Sequence, residues 1–181
     1  MDNHSKTDDL NPVKQEVSNP GSSQEWLNAL RLLRIPFSFF LMPVYWFALL
    51  NTEINIAKAI LVFIILHFFV YPASNGYNSY FDRDEQSIGG LKSPPRVTVQ
   101  LWYLVILFDL IGVLLSFVVN ILFAIMMIVY LLISKAYSYK KTRLKKHPII
   151  GAFTVVLFQG LFTYIAVQVG VTTAYTLTLS N

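Results

Sequence analysis

The sequence predicts an all-α, polytopic membrane protein built as a bundle of about five transmembrane helices. Apolar residues make up 55% of the 181-residue chain and charged residues only 13%, about half the usual share in a soluble domain. The mean hydropathy is +0.53. The composition excludes a disordered chain and, with a net charge of only +4, argues against a nucleic-acid-binding module. Because the chain has no cysteine, disulfides and thiolate metal sites are excluded.

Long uncharged stretches set the number of spans. Residues 35–52, 59–81 and 148–181 contain no charge, and residues 97–134 contain one, Asp109. About 20 apolar residues cross a bilayer, so the stretch at 97–134 is long enough for two helices. The predicted spans are 35–51, 57–82, 98–117, 121–137 and 148–169.

Two domains are predicted. Residues 1–25 hold five of the ten acids and several helix-breaking residues, which is typical of a disordered polar tail. Residues 26–181 form the transmembrane domain and begin with an amphipathic segment that carries Arg31 and Arg34. Asn120 is the turn residue before the fourth span, and Pro148 suits the first turn of the fifth.

The charged loops predict the orientation. Residues 83–97 carry three basic side chains, and residues 135–147 carry six with no acid. The turns after the first and third spans carry almost no charge. Because positive loops stay in the cytoplasm, the N-terminus and the loops at 83–97 and 138–147 are predicted to be cytoplasmic.

An acidic cluster ends the second predicted span. Asn78, Asp82 and Glu85 fall at positions i, i+4 and i+7, so one helix would present all three on the same face. Mg²⁺ prefers oxygen ligands and is often held by one or two carboxylates plus substrate phosphates. The cluster therefore predicts a magnesium site, and the alternative is an ordinary solvated helix end.

A basic segment at 137–146 lies on the same predicted side of the membrane. Lysine and arginine supply the counter-charge that a metal-bound diphosphate needs, so acids and bases together predict a Mg–diphosphate site above an apolar bundle. The alternative is that the basic segment only fixes topology and contacts lipid headgroups.

Three motifs resemble those of the UbiA superfamily of intramembrane prenyltransferases. Asn78-Ser-Tyr-Phe-Asp82 resembles the first aspartate-rich motif of the family, and Tyr137-x-x-x-Lys141 resembles its Tyr-x-x-x-Lys element. The segment from Leu30 to Pro36 is similar to the Arg–Pro region of the family's first helix. The motifs occur in the family's order and cover about residues 26–170.

The resemblance implies transfer of an isoprenoid chain from a prenyl diphosphate to a lipophilic acceptor, an aromatic compound among the candidates, with Mg²⁺ as cofactor. Asn78 and Asp82 would ligate the metal, with Glu85 as a further ligand. Lys141 would bind the diphosphate, and Tyr137 would lie near the leaving oxygen or the allylic cation. Arg34 would position a phosphate or an acidic acceptor. Arg143 is added as a phosphate contact because of its proximity.

Two departures from the family pattern accompany the resemblance. Gln86 stands where the motif has its third acid, and Asp84 or Glu85 is the candidate substitute. The family's second aspartate-rich motif has no counterpart, since Asp109 is the only acid after Glu85. The chain resembles the first part of a nine-helix bundle and is expected to be incomplete at its C-terminus. A missing part or a partner chain would then supply the second motif. The alternatives are a truncated or inactive member, and a non-enzymatic membrane module whose basic loop binds anionic lipid.

Overall fold

A computed structural model describes residues 23–50, 52–142 and 144–172. Five of its helices are long and apolar enough to cross a membrane, which confirms the predicted all-α polytopic bundle. They are Ser23–Leu49, Ile56–Asp82, Val99–Val119, Ile121–Ser138 and Pro148–Val171. The chain is therefore a multi-pass membrane protein.

The first span is a broken helix. It contains α1 (Ser23–Leu32), α2 (Ile35–Ser38), a 3₁₀ turn and α3 (Met42–Leu49). The break lies at Arg34, whose left-handed backbone (φ 49°) cannot continue an α-helix. Residues 23–25 of the predicted tail belong to α1, and residues 1–22 lie outside the described residues.

The second span carries the candidate site at its C-terminal end. It runs through α4 (Ile56–Ile64), a π-helical segment (Ile65–Val70) and α5 (Tyr71–Asp82). Pro72 follows the π segment, and the wider turn accommodates the proline ring, which would clash with a carbonyl in a regular α-helix. Arg83 adopts a left-handed conformation (φ 52°) and ends α5.

The third and fourth spans form a tight hairpin. The single extended residue Asn120 joins α6 (Val99–Val119) to α7 (Ile121–Ser138). Its side-chain oxygen accepts from the Phe123 N–H at 2.7 Å, and its amide nitrogen donates to the Val169 carbonyl at 3.0 Å. Asn120 therefore caps α7 and ties the hairpin to the fifth span.

The fifth span begins at Pro148 and is also interrupted. It contains α8 (Pro148–Val155), a π-helical segment (Val156–Phe162) and α9 (Thr163–Val171). A short 3₁₀ helix, Leu144–Lys146, precedes it and packs against α8. Much of this span is exposed within the described part of the chain.

Two buried clusters hold the bundle together. The larger lies among α3, α4, the first π segment, α7 and α9, and its fully buried members include Ile65, Phe123 and Val167. The smaller joins α1, α5 and α6 around Leu33 and Leu101, beneath the candidate site. Asp109 of α6 pairs with Lys135 of α7 at 2.5 Å, so this intramembrane acid has a partner.

Candidate functional site

Two oxygen-bearing side chains lie one turn apart at the end of α5. The Asn78 Oδ1 atom accepts a hydrogen bond from Lys145 Nζ at 2.9 Å, and Lys145 also forms an ion pair with Asp82 Oδ2. The side chains of Lys145 and Asp82 are only 18% and 13% exposed. One ammonium group thus joins an amide oxygen and a carboxylate oxygen in a setting that is largely shielded from water.

Ser138, the last residue of α7, orients the side-chain amide of Asn78. Ser138 is buried, and its hydroxyl donates to Asn78 Oδ1 at 2.6 Å. The same oxygen therefore accepts one hydrogen bond from α7 and one from the loop that follows it. This arrangement orients the Asn78 side chain with its oxygen toward the lysine.

Lys145 reaches Asn78 and Asp82 from a backbone segment that packs close to α8. A Cβ atom added at Gly151 would lie 3.2 Å from the Lys145 Cα atom, so the close approach leaves little room for a side chain at that position. The His147 N–H donates to the Leu144 carbonyl at 3.1 Å and closes the short 3₁₀ turn. The turn and the glycine together set the position of Lys145.

Arg34 lies beside the same end of α5. Its Nη2 atom donates to the Asn75 carbonyl at 3.5 Å, and its charge interacts with the carboxylates of Asp84 and Asp82. Its Nε atom is buried and has no hydrogen-bond partner within the described part of the chain. Arg34 also lines a cavity of about 380 Å³ between the first span and the 83–98 loop. Other residues that line this cavity are Leu27, Arg31, Phe37, Gly90 and Leu91.

The family model for the UbiA prenyltransferase family matches residues 40–180. This chain belongs to that family. The matched region contains the Asn78–Asp82 pair, Ser138 and the loop that holds Lys145. No curated protein and no solved structure matches the chain. UbiA-family membership makes the chain a membrane prenyltransferase at the level of the family.

One expected feature of this UbiA-family chain is corrected by the structure. Glu85 was expected to share a helix face with Asn78 and Asp82, but α5 ends at Asp82 because Arg83 is left-handed. Glu85 is exposed in the loop beyond the helix end. The geometric reason for grouping Glu85 with the other two was therefore wrong, and its role as a metal ligand stays a prediction.

The structure separates the other predicted residues. Lys141 is exposed, and Arg143 lies outside the described residues. Tyr137 lines a separate cavity of about 50 Å³ between α7 and the fifth span. That cavity is also lined by Tyr130, Ser134, Thr154 and Gln159. Arg34, Asn78 and Asp82 thus lie close to one end of α5, whereas Tyr137 lies against the fifth span.

The chemistry of the donor set bears on the metal that UbiA-family proteins use. Among the described residues, no group of three or more histidine, cysteine, aspartate or glutamate side chains is placed to hold a metal ion. The oxygens of Asn78 and Asp82 nevertheless share one cation, the ammonium of Lys145. Two protein oxygens completed by substrate phosphates and water are a usual set for Mg²⁺, so these residues fit the ion.

Sequence reasoning missed Lys145 and Ser138 as members of the site. Four other basic residues lie within six residues of Lys145, and their spacing in the sequence does not show which of them contacts Asn78 and Asp82. Gly151 was a usable signal, since a glycine in the first turn of a helix permits a neighbouring segment to pack closely.

Proposed function

We propose that this chain transfers an isoprenoid chain from a prenyl diphosphate to a lipophilic acceptor, in a Mg²⁺-dependent reaction at the end of α5. One observation carries the proposal within the family. The oxygens of Asn78 and Asp82 share a single cation at the end of an apolar helix bundle. That arrangement suits a diphosphate whose charged end lies at the membrane surface and whose chain lies among helices.

In this proposal, Asn78 and Asp82 hold Mg²⁺, with Glu85 available from the adjoining loop. The bound ion would supply charge stabilisation for the departing diphosphate. Arg34 and Lys141 bind diphosphate oxygens, and Arg143 is a further proposed contact. Basic side chains placed where negative charge develops lower the barrier to ionisation.

The proposed reaction is a substitution at the allylic carbon. The bond between that carbon and the diphosphate oxygen breaks, a bond from the carbon to the acceptor forms, and the acceptor loses a proton. An allylic cation must be kept from water, and aromatic faces stabilise it. Tyr137 is proposed for this role. That role rests on the motif resemblance, since neither Asn78 nor Asp82 lines the small cavity that Tyr137 lines.

The orientation is part of the proposal. The basic loops around the site, together with the N-terminus, are proposed to be cytoplasmic. The prenyl diphosphate would then enter from the cytoplasm with its chain in the bilayer. The acceptor is proposed to be lipophilic, with an aromatic compound as the first class to test, and a second metal-binding motif would come from a further segment or a partner chain.

The test is prenyl transfer by purified protein in liposomes, using geranyl, farnesyl and geranylgeranyl diphosphate with a lipid extract as the source of acceptor. We expect pyrophosphate release that EDTA abolishes. Asp82→Ala should lower the rate by about 100-fold or more, since a charge-stabilising group is lost. Glu53→Ala removes an exposed acid from the turn before the second span and is the matched control. Parental activity in a folded Asp82→Ala protein would reject the site.

A second candidate function rests on the exposed side of the basic loop. Lys140, Lys141 and Lys146 all face outward, where they can contact anionic headgroups. A non-enzymatic lipid-binding module, or an inactive family member, would bind anionic liposomes through these lysines and release no pyrophosphate. In that case Asp82→Ala would leave lipid binding unchanged.

A further inference from the structure

We propose that Lys145 is a built-in cation that holds the Asn78–Asp82 pair when no metal is bound, and that it moves to the diphosphate when a divalent ion enters. This inference rests on the proposed function, because the diphosphate is the anion that would receive the displaced lysine. The inference gives Lys145, which lies outside the three motifs, two roles. It competes with the metal when the site is empty and contacts the substrate when the metal is bound.

The contacts of Lys145 carry the first step. Its ammonium binds Asn78 Oδ1 at 2.9 Å and pairs with Asp82 Oδ2, the two oxygens proposed for the metal. A metal ion that ligates both oxygens needs the position that the ammonium holds. Two cations in one shielded position repel each other strongly, so the lysine and the metal exclude one another.

The second step follows from the chemistry of an ammonium group. Lysine has three hydrogen-bond donors and no acceptor, and a charge that leaves an ion pair in a shielded place needs another anion. The Lys145 backbone packs closely against Gly151 of α8, and the proposal requires movement of the flexible side chain alone. In a loaded site, the nearest new negative charge is the diphosphate that shares the metal.

The neighbouring lysines provide the contrast. Lys146 follows Lys145 in the same 3₁₀ turn, yet its side chain is exposed. The difference arises because consecutive residues of a helical turn point in different directions. Lys146→Gln therefore removes the same charge from the same segment without touching Asn78 or Asp82, and it is the matched control.

The test measures Mn²⁺ binding to the full chain in detergent, by electron paramagnetic resonance and without any diphosphate. Lys145→Gln should bind Mn²⁺ about ten-fold more tightly than the parent, as expected where an internal competitor occupies the site nine-tenths of the time. With saturating Mn²⁺, the same variant should bind inorganic pyrophosphate about ten-fold more weakly, because one charged contact is lost. Lys145→Arg should bind Mn²⁺ with an affinity close to that of the parent protein. Lys146→Gln should match the parent protein in both Mn²⁺ and pyrophosphate binding.

Opposite signs in the two measurements distinguish this role from a structural one. A lysine that only stabilises the loop would weaken both kinds of binding when replaced, and that result would overturn the proposal. Unchanged Mn²⁺ affinity in Lys145→Gln overturns it as well, including when the parent carries out prenyl transfer normally. If the opposite shifts occur but the parent transfers no prenyl group, the proposed function fails while the competition between lysine and metal stands.

Discussion

At Asn78, one carboxamide oxygen accepts two hydrogen bonds from different segments of the chain. The Ser138 hydroxyl lies 2.6 Å away and the Lys145 ammonium 2.9 Å away. A carbonyl oxygen has two lone pairs, so Ser138 takes one and leaves the other for a cation. Ser138 therefore acts on the proposed metal indirectly, by orienting its ligand.

Ser138→Ala should weaken Mn²⁺ binding by about ten-fold, the lower end of the usual effect of removing such an orienting hydrogen bond. The free energy of unfolding should fall by about 1 kcal/mol, the usual net contribution of one hydrogen bond. Mn²⁺ titration and chemical unfolding of the detergent-solubilised variant measure the two effects.

Ser116→Ala is the control for this substitution. Ser116 is also buried and donates a hydrogen bond to the Gly112 carbonyl at 2.7 Å, but both of these residues belong to α6. It should lose stability to a similar degree and keep parental Mn²⁺ affinity. Equal Mn²⁺ binding by both variants would remove Ser138 from the site.

Close packing of helices sets the position of α5 among its neighbours. A Cβ atom at Gly76 would lie 2.7 Å from the Leu33 side chain and 2.9 Å from that of Val105. These are side chains of the segment after α1 and of α6, so the end of α5 is held between two elements. In a membrane, where helices associate by packing, such small residues permit the closest contact.

Gly76→Ala should destabilise the protein by about 1–3 kcal/mol, because the added methyl group overpacks this contact. Gly160→Ala provides the comparison, since nothing lies within 4 Å of a Cβ atom at that position. It should be neutral or stabilising by up to about 1 kcal/mol. Thermal unfolding in detergent measures both, and a Gly76→Ala protein as stable as Gly160→Ala would contradict the packing seen here.

The helices could be predicted from the sequence more readily than the breaks within them. Stretches without charge and the residues Asn120 and Pro148 were sufficient to predict five spans in an all-α bundle. The left-handed residues Arg34 and Arg83 were not predictable, because arginine has no preference for that conformation. The predicted span ended at residue 82, but placing Glu85 on the face of Asn78 and Asp82 assumed that the helix continued beyond it, and that face was wrong.

At the scale of the whole molecule, the polar groups collect at one end of the bundle. Glu25 of α1 accepts from Gln100 of α6 at 2.7 Å, close to where the loop after α5 rejoins the bundle. At the opposite end, the Asn55 N–H donates to the Val171 carbonyl at 2.9 Å and joins the turn after the first span to the end of the fifth. This division predicts a cytoplasmic end that carries the charges and an outer end that carries few.

The absence of cysteine from the sequence permits a direct test of this orientation. Ser87→Cys and Lys140→Cys place one thiol in each basic loop, and Glu53→Cys places one in the turn after the first span. All three positions are exposed. A membrane-impermeant maleimide should label the first two only in inside-out vesicles and the third only in right-side-out vesicles. Labelling of Ser87→Cys and Lys140→Cys from opposite sides would contradict the bundle itself.

The composition of the site was partly predictable at this scale. The motif resemblance selected Asn78, Asp82 and Arg34, which the fold brings to one end of α5. Lys145 and Ser138 were not selected, because their membership depends on how the loop after α7 folds back against α8. Such long-range packing leaves little trace in the local pattern of charge.

The π-helical segment at Ile65–Val70 sets the rotation of the second half of the second span about its axis. Each residue of an α-helix adds about 100° of rotation, and a π-helix adds less, so converting this segment to regular α-helix without removing a residue would turn the whole of α5 by roughly that angle. Asn78 and Asp82 would then face away from Ser138 and Lys145, although no residue of the site had been replaced. This buried segment contains none of the site residues, yet its wider turns determine the direction in which the site faces.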